Sequence, residues 1–269
     1  MFTGSQPDFT PTPPRSAPSP LSAGRLRIRR VELSRPFAWL RRGWGDLQRT
    51  PTASLAHGAL FAAIGFAVLL FGDQHPRTAM AALSGFLLVG PLLAVGFYEL
   101  SRRSAADEPV DAVMALTGLR RCWRPLAAYG VLLALFYFCW ERLTVAILAF
   151  LLGSADLWDF VGLLREIFLS PHHPILAMAW ILSGGVIAAL CFLVSVITAP
   201  VLVDRGGRLA DAVEASITAV SENVFPMLLW SGLIVALVLI GFATIMVGLV
   251  VIVPLLGHAT WHAYRDLVE

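Results

Sequence analysis

Lysine is absent from this chain of 269 residues, and all twenty basic residues are arginine. Charge of either sign is scarce. Asp, Glu, Lys and Arg make up 14%, against about 25% in an ordinary soluble domain. So few charges cannot cover a water-facing surface, which argues against a soluble enzyme, a disordered regulator or an ordinary DNA-binding protein. Cysteine is limited to Cys122, Cys139 and Cys191. No CxxC pair occurs, so nothing supports a redox couple or zinc ribbon. Walker, GxGxxG, GxSxG and HExxH patterns are missing too. No apolar core follows Met1, so the N-terminus does not read as a signal peptide.

What the chain does have is apolar length. Hydrophobic residues make up 57% and the mean hydropathy is +0.74. A membrane-crossing helix needs roughly 20 mostly apolar residues. Candidate spans are Ser54–Phe71, Thr78–Tyr98, Pro125 to about Leu152, and Ile175–Val203. The last run, Val224–Gly257, carries no charge and would be about 50 Å long as one helix. Two short spans with a turn near Gly241 fit it better. The expectation is therefore an all-α, polytopic membrane helical bundle of six transmembrane helices with amphipathic interfacial helices. Ahead of it, residues 1–35 form a Pro/Arg-rich cytoplasmic tail read as disordered, with the membrane domain at 36–268.

Arginine position orients the bundle. With the N-terminus inside, seventeen of the twenty arginines fall on the cytoplasmic side. Only Arg77 and Arg165 lie in outer loops, and Arg142 sits within the third span. That places both termini in the cytoplasm of a cell inner (plasma) membrane. Arg25, Arg27, Arg29, Arg30, Arg41 and Arg42 then form a basic flank able to touch anionic lipid.

A threefold helix-plus-hairpin repeat is a further expectation. Each unit is an amphipathic helix, a proline and two spans. The first helix, Pro36–Arg49, has the stripe Phe37, Leu40, Trp44 and Leu47. The second, after Pro109, has Val110, Val113 and Leu116. The third has Leu209, Val213, Ile217 and Val220. Pro51, Pro125 and Pro226 open the spans that follow, and "DAV" recurs at 111–113 and 211–213. A fourth amphipathic segment, Leu157–Phe168, would lie on the outer face. Pro91, Pro200 and Pro254 would kink their spans.

Polar residues at membrane depth are the candidate site residues. His258 and His262 are spaced i, i+4 and share a helical face. With His57 and Glu99 they lie near the cytoplasmic membrane surface, where imidazoles and a carboxylate could bind a transition metal. Two histidines one turn apart could not be both axial ligands of one haem iron. Glu141 and Arg142 lie within the third span, where a carboxylate is costly unless paired or wet. Arg142 would snorkel outward; either the pair marks the outer interface, with the helix continuing beyond the bilayer, or Glu141 lines a polar cavity. His172 and His173 could form a loose outer-loop metal site with Asp156, Asp159 and Glu166. No cofactor is implied.

Three stretches carry a family resemblance: "WLRRGWGDLQRTPTASLAHGALFAAIG" at 39–65, "SVITAPVLVDRGGRLADAVEASITAVSEN" at 195–223, and "GLVVIVPLLGHATWHAYRDLV" at 248–268. In these the chain resembles a bacterial family of predicted integral membrane proteins of unknown function (domain of unknown function 2189). The resemblance implies a six-span inner-membrane protein and no assigned activity. The reading is thus a non-enzymatic membrane protein with a structural or accessory role. The alternatives are a small-solute secondary transporter or permease, whose path runs past Glu141, and a metal- or haem-binding membrane protein. Protein partners are not legible.

Overall fold

A computed structural model describes residues 26–72, 94–106, 108, 122–152 and 174–269. The following lie outside the described residues: the tail before residue 26, the body of the expected second span, the amphipathic helix expected after Pro109, the segment Leu157–Phe168, and His172 and His173 with their acidic neighbours.

The described chain is all helical. In order come α1 (Arg35–Arg49), α2 (Pro51–Gly72), α3 (Val95–Ala105), α4 (Trp123–Leu152) and α5 (Pro174–Ser195). Then follow α6 (Thr198–Arg205), α7 (Leu209–Glu222), α8 (Val224–Ala243) and α9 (Leu249–Leu267). Proline punctuates the starts. Pro36, Pro51, Pro125, Pro174, Pro200 and Pro226 each stand within the first three residues of a helix. There the missing N–H would have had no intrahelical partner in any case. Pro200 therefore kinks nothing. It opens α6 after the chain has turned at Val196 and Ile197.

Six membrane spans is not what the structure shows. Among the described residues four stretches are long and apolar enough to cross a membrane: Pro51–Val68, Trp123–Leu151, Pro174–Arg205 and Val224–Ala243. One expected span fails for a physical reason, and the body of another lies outside the described residues. The described end of the second is α3, only 11 residues long, with residues 95–101 buried and with Glu99, Arg102 and Arg103 in its sequence. The sixth was to come from the second half of the 224–257 run. That run does break in two, at a turn over residues 244–248. Ile245 and Met246 there adopt φ of 52° and 67°, left-handed geometry that is unusual for a β-branched residue. But α9 after the turn ends in His258, Trp261, His262, Tyr264, Arg265 and Asp266. Its last three turns are too polar for hydrocarbon and are buried in protein instead. Of the three repeat units, two amphipathic helices with their following apolar helices are described, α1–α2 and α7–α8.

The core sits at one end of the bundle, where α1, α3, α6, α7 and the end of α9 form a collar. Its largest fully buried side chains include Trp39, Trp230, Tyr264, Phe97 and Leu202. Trp39 and Trp230 meet edge to face at 5.6 Å between ring centroids, a favoured aromatic geometry. Residues 26–34 belong to this collar. Ile28 pairs antiparallel with Val268, and Arg29 N–H donates to the Leu267 carbonyl at 2.8 Å. The Asn223 side chain accepts from Val31 N–H at 2.7 Å and donates to the carbonyls of Arg29 and Ala219.

The two amphipathic helices dock with a face rotated from their apolar stripes, of which Leu47 is buried and Leu40, Leu209 and Val220 pack against the core. α1 buries Pro36, Trp39, Gly43, Asp46 and Leu47. Phe37 and Trp44 point outward, 56% and 44% exposed. α7 buries Ala212, Ala215, Ser216 and Ala219, while Ile217 is exposed. Small residues let backbones approach, and that decides the inward face. Gly43 is the clearest case, since a Cβ there would lie 2.7 Å from the backbone nitrogen of Ala259. At a second close approach, Gly58 packs on the Val250 carbonyl. Pro254 is the interior proline of α9. Lacking an N–H, it leaves that carbonyl without its helical donor.

Candidate functional site

The collar holds a connected row of buried polar side chains from four helices. Asp46 is on α1, Ser54 on α2, Ser101 on α3, and His258 and His262 on α9. His262 Nε2 lies 2.9 Å from Asp46 Oδ2. Ser101 Oγ donates to the same oxygen at 2.8 Å and meets His258 Nδ1 at 2.7 Å. His258 Nε2 meets Ser54 Oγ at 2.9 Å, and Thr50 Oγ1 lies 3.0 Å beyond. Ser54, Ser101 and His258 are all buried.

The protons can be counted along the row. A hydroxyl has one hydrogen, and Ser101 gives it to the Asp46 carboxylate. Ser101 must then accept from His258, so His258 carries its proton on Nδ1. Its Nε2 is left to accept from Ser54. Burial pushes the His258 imidazole down to about 4, against a smaller upward pull from Asp46 and a smaller downward one from His262. His258 is therefore neutral at physiological pH, as this assignment requires. Burial alone would raise the Asp46 carboxyl, but the hydrogen bonds from His262 and Ser101 outweigh it and hold it below the usual range.

The order serine, histidine, serine, aspartate resembles the logic of an activated nucleophile. Ser54 itself is fully buried. The row ties α1, α2, α3 and α9 together, with each buried polar group paired as stability demands.

Other collar charges are paired in the same way. Arg102 grips Glu99 with both Nε and Nη2 at 2.9 Å, and Arg103 Nε adds a third contact at 2.9 Å. The Glu99 hydrogen bonds hold the Arg102 guanidinium firmly protonated, against its partial burial. Asp266 accepts from Trp39 Nε1 and Arg42 Nη1 at 2.9 Å each. Those contacts outweigh its burial and keep its carboxyl low. Tyr264 donates to Asp204 at 2.6 Å; burial, then that carboxylate, push the phenol up.

The sequence-derived site residues are placed as follows. His57 and His258 lie on either side of Phe97, with ring centroids 5.8 and 5.6 Å away. His57 Nδ1 donates to the Ala53 carbonyl at 2.9 Å. His262 turns to Asp46 and Glu99 to its two arginines. Among the described residues no three His, Cys, Asp or Glu side chains gather as metal ligands would. Glu141 and Arg142 pair with each other, although their Cα–Cβ bonds diverge by about 100° on a helix. Arg142 also lies over Phe138, 5.6 Å from the ring centroid. Both long side chains curl together at the helix surface, and neither lines the cavity described next.

Sequence reasoning missed Asp46, Ser54 and Ser101. One signal was available: Trp39, Gly43 and Asp46 recur at spacings of four and three. They form a second stripe on α1, bearing the helix's one acid.

A cavity of about 450 Å³ lies on the other side of α9, between α5, α8, α9 and Tyr98 of α3. Its walls are apolar along most of its length. Tyr98, Ser195, Trp230 and Thr260 supply its polar atoms.

Comparison with known proteins adds one finding. A family model described as "Predicted integral membrane protein (DUF2189)" matches residues 79–204. Of the three resembling stretches, only 195–204 falls inside that match. Neither the curated proteins nor the solved structures yield a match to this chain. Over that segment, a little under half of the chain, the sequence is similar to the DUF2189 family of predicted integral membrane proteins.

Proposed function

We infer that this DUF2189-like protein is a non-catalytic membrane scaffold, with four apolar helices in the lipid and a polar collar on the cytoplasmic side of the inner membrane. One observation carries the reading. The charged and polar groups that a catalytic or transport reading would need are spent on one another inside the collar. Asp46, Asp204, Asp266 and His258 hold helices together, and Glu99 is gripped by Arg102 and Arg103 of its own helix. The charges facing outward include the acids Glu32 and Glu222 and the arginines Arg27, Arg30 and Arg41, all exposed; those three arginines have no acidic partner among the described residues. Arg42 and Arg29 are engaged by Asp266 and Glu269.

Orientation follows from the same surface. Ile28 and Val268 pair directly, so the two ends of the described chain lie at one face. Arginine marks the cytoplasmic side of membrane proteins, and anionic lipid there attracts juxtamembrane cations by about 1 kcal/mol each. Phe37 and Trp44, flanked by those arginines, suit the headgroup boundary.

The test is lipid retention by the full chain. Protein reconstituted in mixed phosphatidylcholine and phosphatidylglycerol should enrich phosphatidylglycerol around itself. The triple variant Arg27→Gln, Arg30→Gln, Arg41→Gln should lose most of that enrichment. Equal enrichment in both would remove the lipid-facing collar. Cleavage of the 26–34 segment only from the outer side of sealed vesicles would reverse the orientation.

A further inference from the structure

We propose that the cavity between α5, α8 and α9 binds a neutral lipophile: an apolar body ending in a carbonyl acceptor, held head-first toward the collar. Shape and chemistry agree on this. The volume, about 450 Å³, is that of a small-molecule site rather than a packing fault. One end is wholly apolar, walled by Phe61, Leu239, Phe242, Leu249 and Val253. The collar end presents donors. Trp230 is fully buried, and its Nε1–H has no hydrogen-bond partner among the described residues. Tyr98 lines the same end, and its hydroxyl is a second group there able to donate.

A buried donor left without an acceptor is costly to the fold, and buried polar groups in native proteins are nearly always paired. An indole N–H can only donate, so what is missing beside Trp230 is an acceptor. The head is uncharged, because no charged side chain among the described residues lines the cavity. A carboxylate or phosphate buried there would have no counter-charge. A carbonyl meets both conditions. Two sources offer one on an apolar body: a quinone with an alkyl tail, and a neutral acylglycerol.

Native mass spectrometry of the detergent-purified full chain separates these readings. The probes are a decyl-substituted benzoquinone, monodecanoylglycerol, and decanoate at pH 8. Saturable binding of one neutral probe per chain is expected, with decanoate at least about tenfold weaker. Binding of the quinone alone would narrow the head to a ring carbonyl; binding of both would extend it to any neutral carbonyl. Trp230→Phe with Tyr98→Phe should weaken the neutral probe about tenfold, the loss expected for one hydrogen bond. Val238→Trp should block the cavity. Val235→Trp, at a half-exposed wall position, does the same with less risk to folding. Failure of both neutral probes would overturn the proposal. So would retention that is unchanged in a folded blocking variant, or affinity that is unchanged when both donors are gone.

Discussion

The collar and the apolar half of this molecule obey opposite rules. In the collar, polar groups point inward and are paired, and the packing is dense. In the span Trp123–Leu151, only 11% of the window is buried, and Val131, Leu135, Phe138 and Phe150 face outward. Lipid is as apolar as leucine, so burying leucine against protein there gains little. The difference teaches where this fold draws its specificity. The apolar helices need only be apolar. The collar must match donors to acceptors and glycines to neighbouring backbone.

The sharpest way to break that comparison is to neutralise one carboxylate in each half. Asp46→Asn leaves its geometry in place but removes the acceptor charge shared by Ser101 and His262. Breaking a buried, paired charge costs about 3–5 kcal/mol, and unfolding in detergent should shift by that amount. Glu141→Gln removes a carboxylate whose partner, Arg142, is exposed at the helix surface and free to snorkel toward the membrane boundary, so the loss should be smaller. Comparable losses from the two variants would show that the halves are not distinct.

Acid should act on the collar through His258. Its folded value, about 4 against 6.5 in an unfolded chain, means that the unfolded state binds the proton first as pH falls. Stability contributed by the neutral imidazole is complete above 6.5 and declines between 6.5 and about 4. The expected loss is about 3 kcal/mol across that window. Asp46 acts in a separate window. Its lowered carboxyl contributes above its ordinary value, and that contribution goes only at still lower pH. Thermal unfolding followed from pH 7 to pH 4 should show the decline in the wild type, with a shallower slope in His258→Gln. A flat wild-type profile would mean that the imidazole is not held neutral.

Much of this architecture was legible in the chain, and the misreadings share one cause. Membrane residence, the helical class, proline at helix starts and the shared face of His258 and His262 all follow from composition and spacing. The docking faces of α1 and α7 do not. An apolar stripe marks the core of a soluble protein, but here water is not the only solvent. Phe37 and Trp44 face away from protein, as residues at a headgroup boundary would, while Trp39, Gly43 and Asp46 face it. The sixth span failed similarly. The run 249–257 is apolar enough for lipid, but His258 to Asp266 turn the same helix into collar. Ser54 and Ser101 could not be picked out, because a serine in a helix is ordinary until its partners on other helices are in place.

The two faces of α1 can be compared with a single added methyl group. Gly43 and Gly45 stand two residues apart, and a helix gains from alanine over glycine by about 1 kcal/mol at either site. At Gly45 a Cβ meets nothing within 4 Å, so Gly45→Ala should keep that gain as a small rise in unfolding temperature. At Gly43 the same Cβ lies 2.7 Å from Ala259 N and 3.0 Å from its Cα. Backbone cannot swing aside as a side chain can. Gly43→Ala must push α1 from α9, at a cost of about 1–3 kcal/mol, and must stretch the His262–Asp46 contact that spans the same interface. Opposite signs from the same chemical change would locate the protein-facing side of α1 by measurement. Two gains would mean that α1 packs on α9 less closely than the Gly43–Ala259 contact implies.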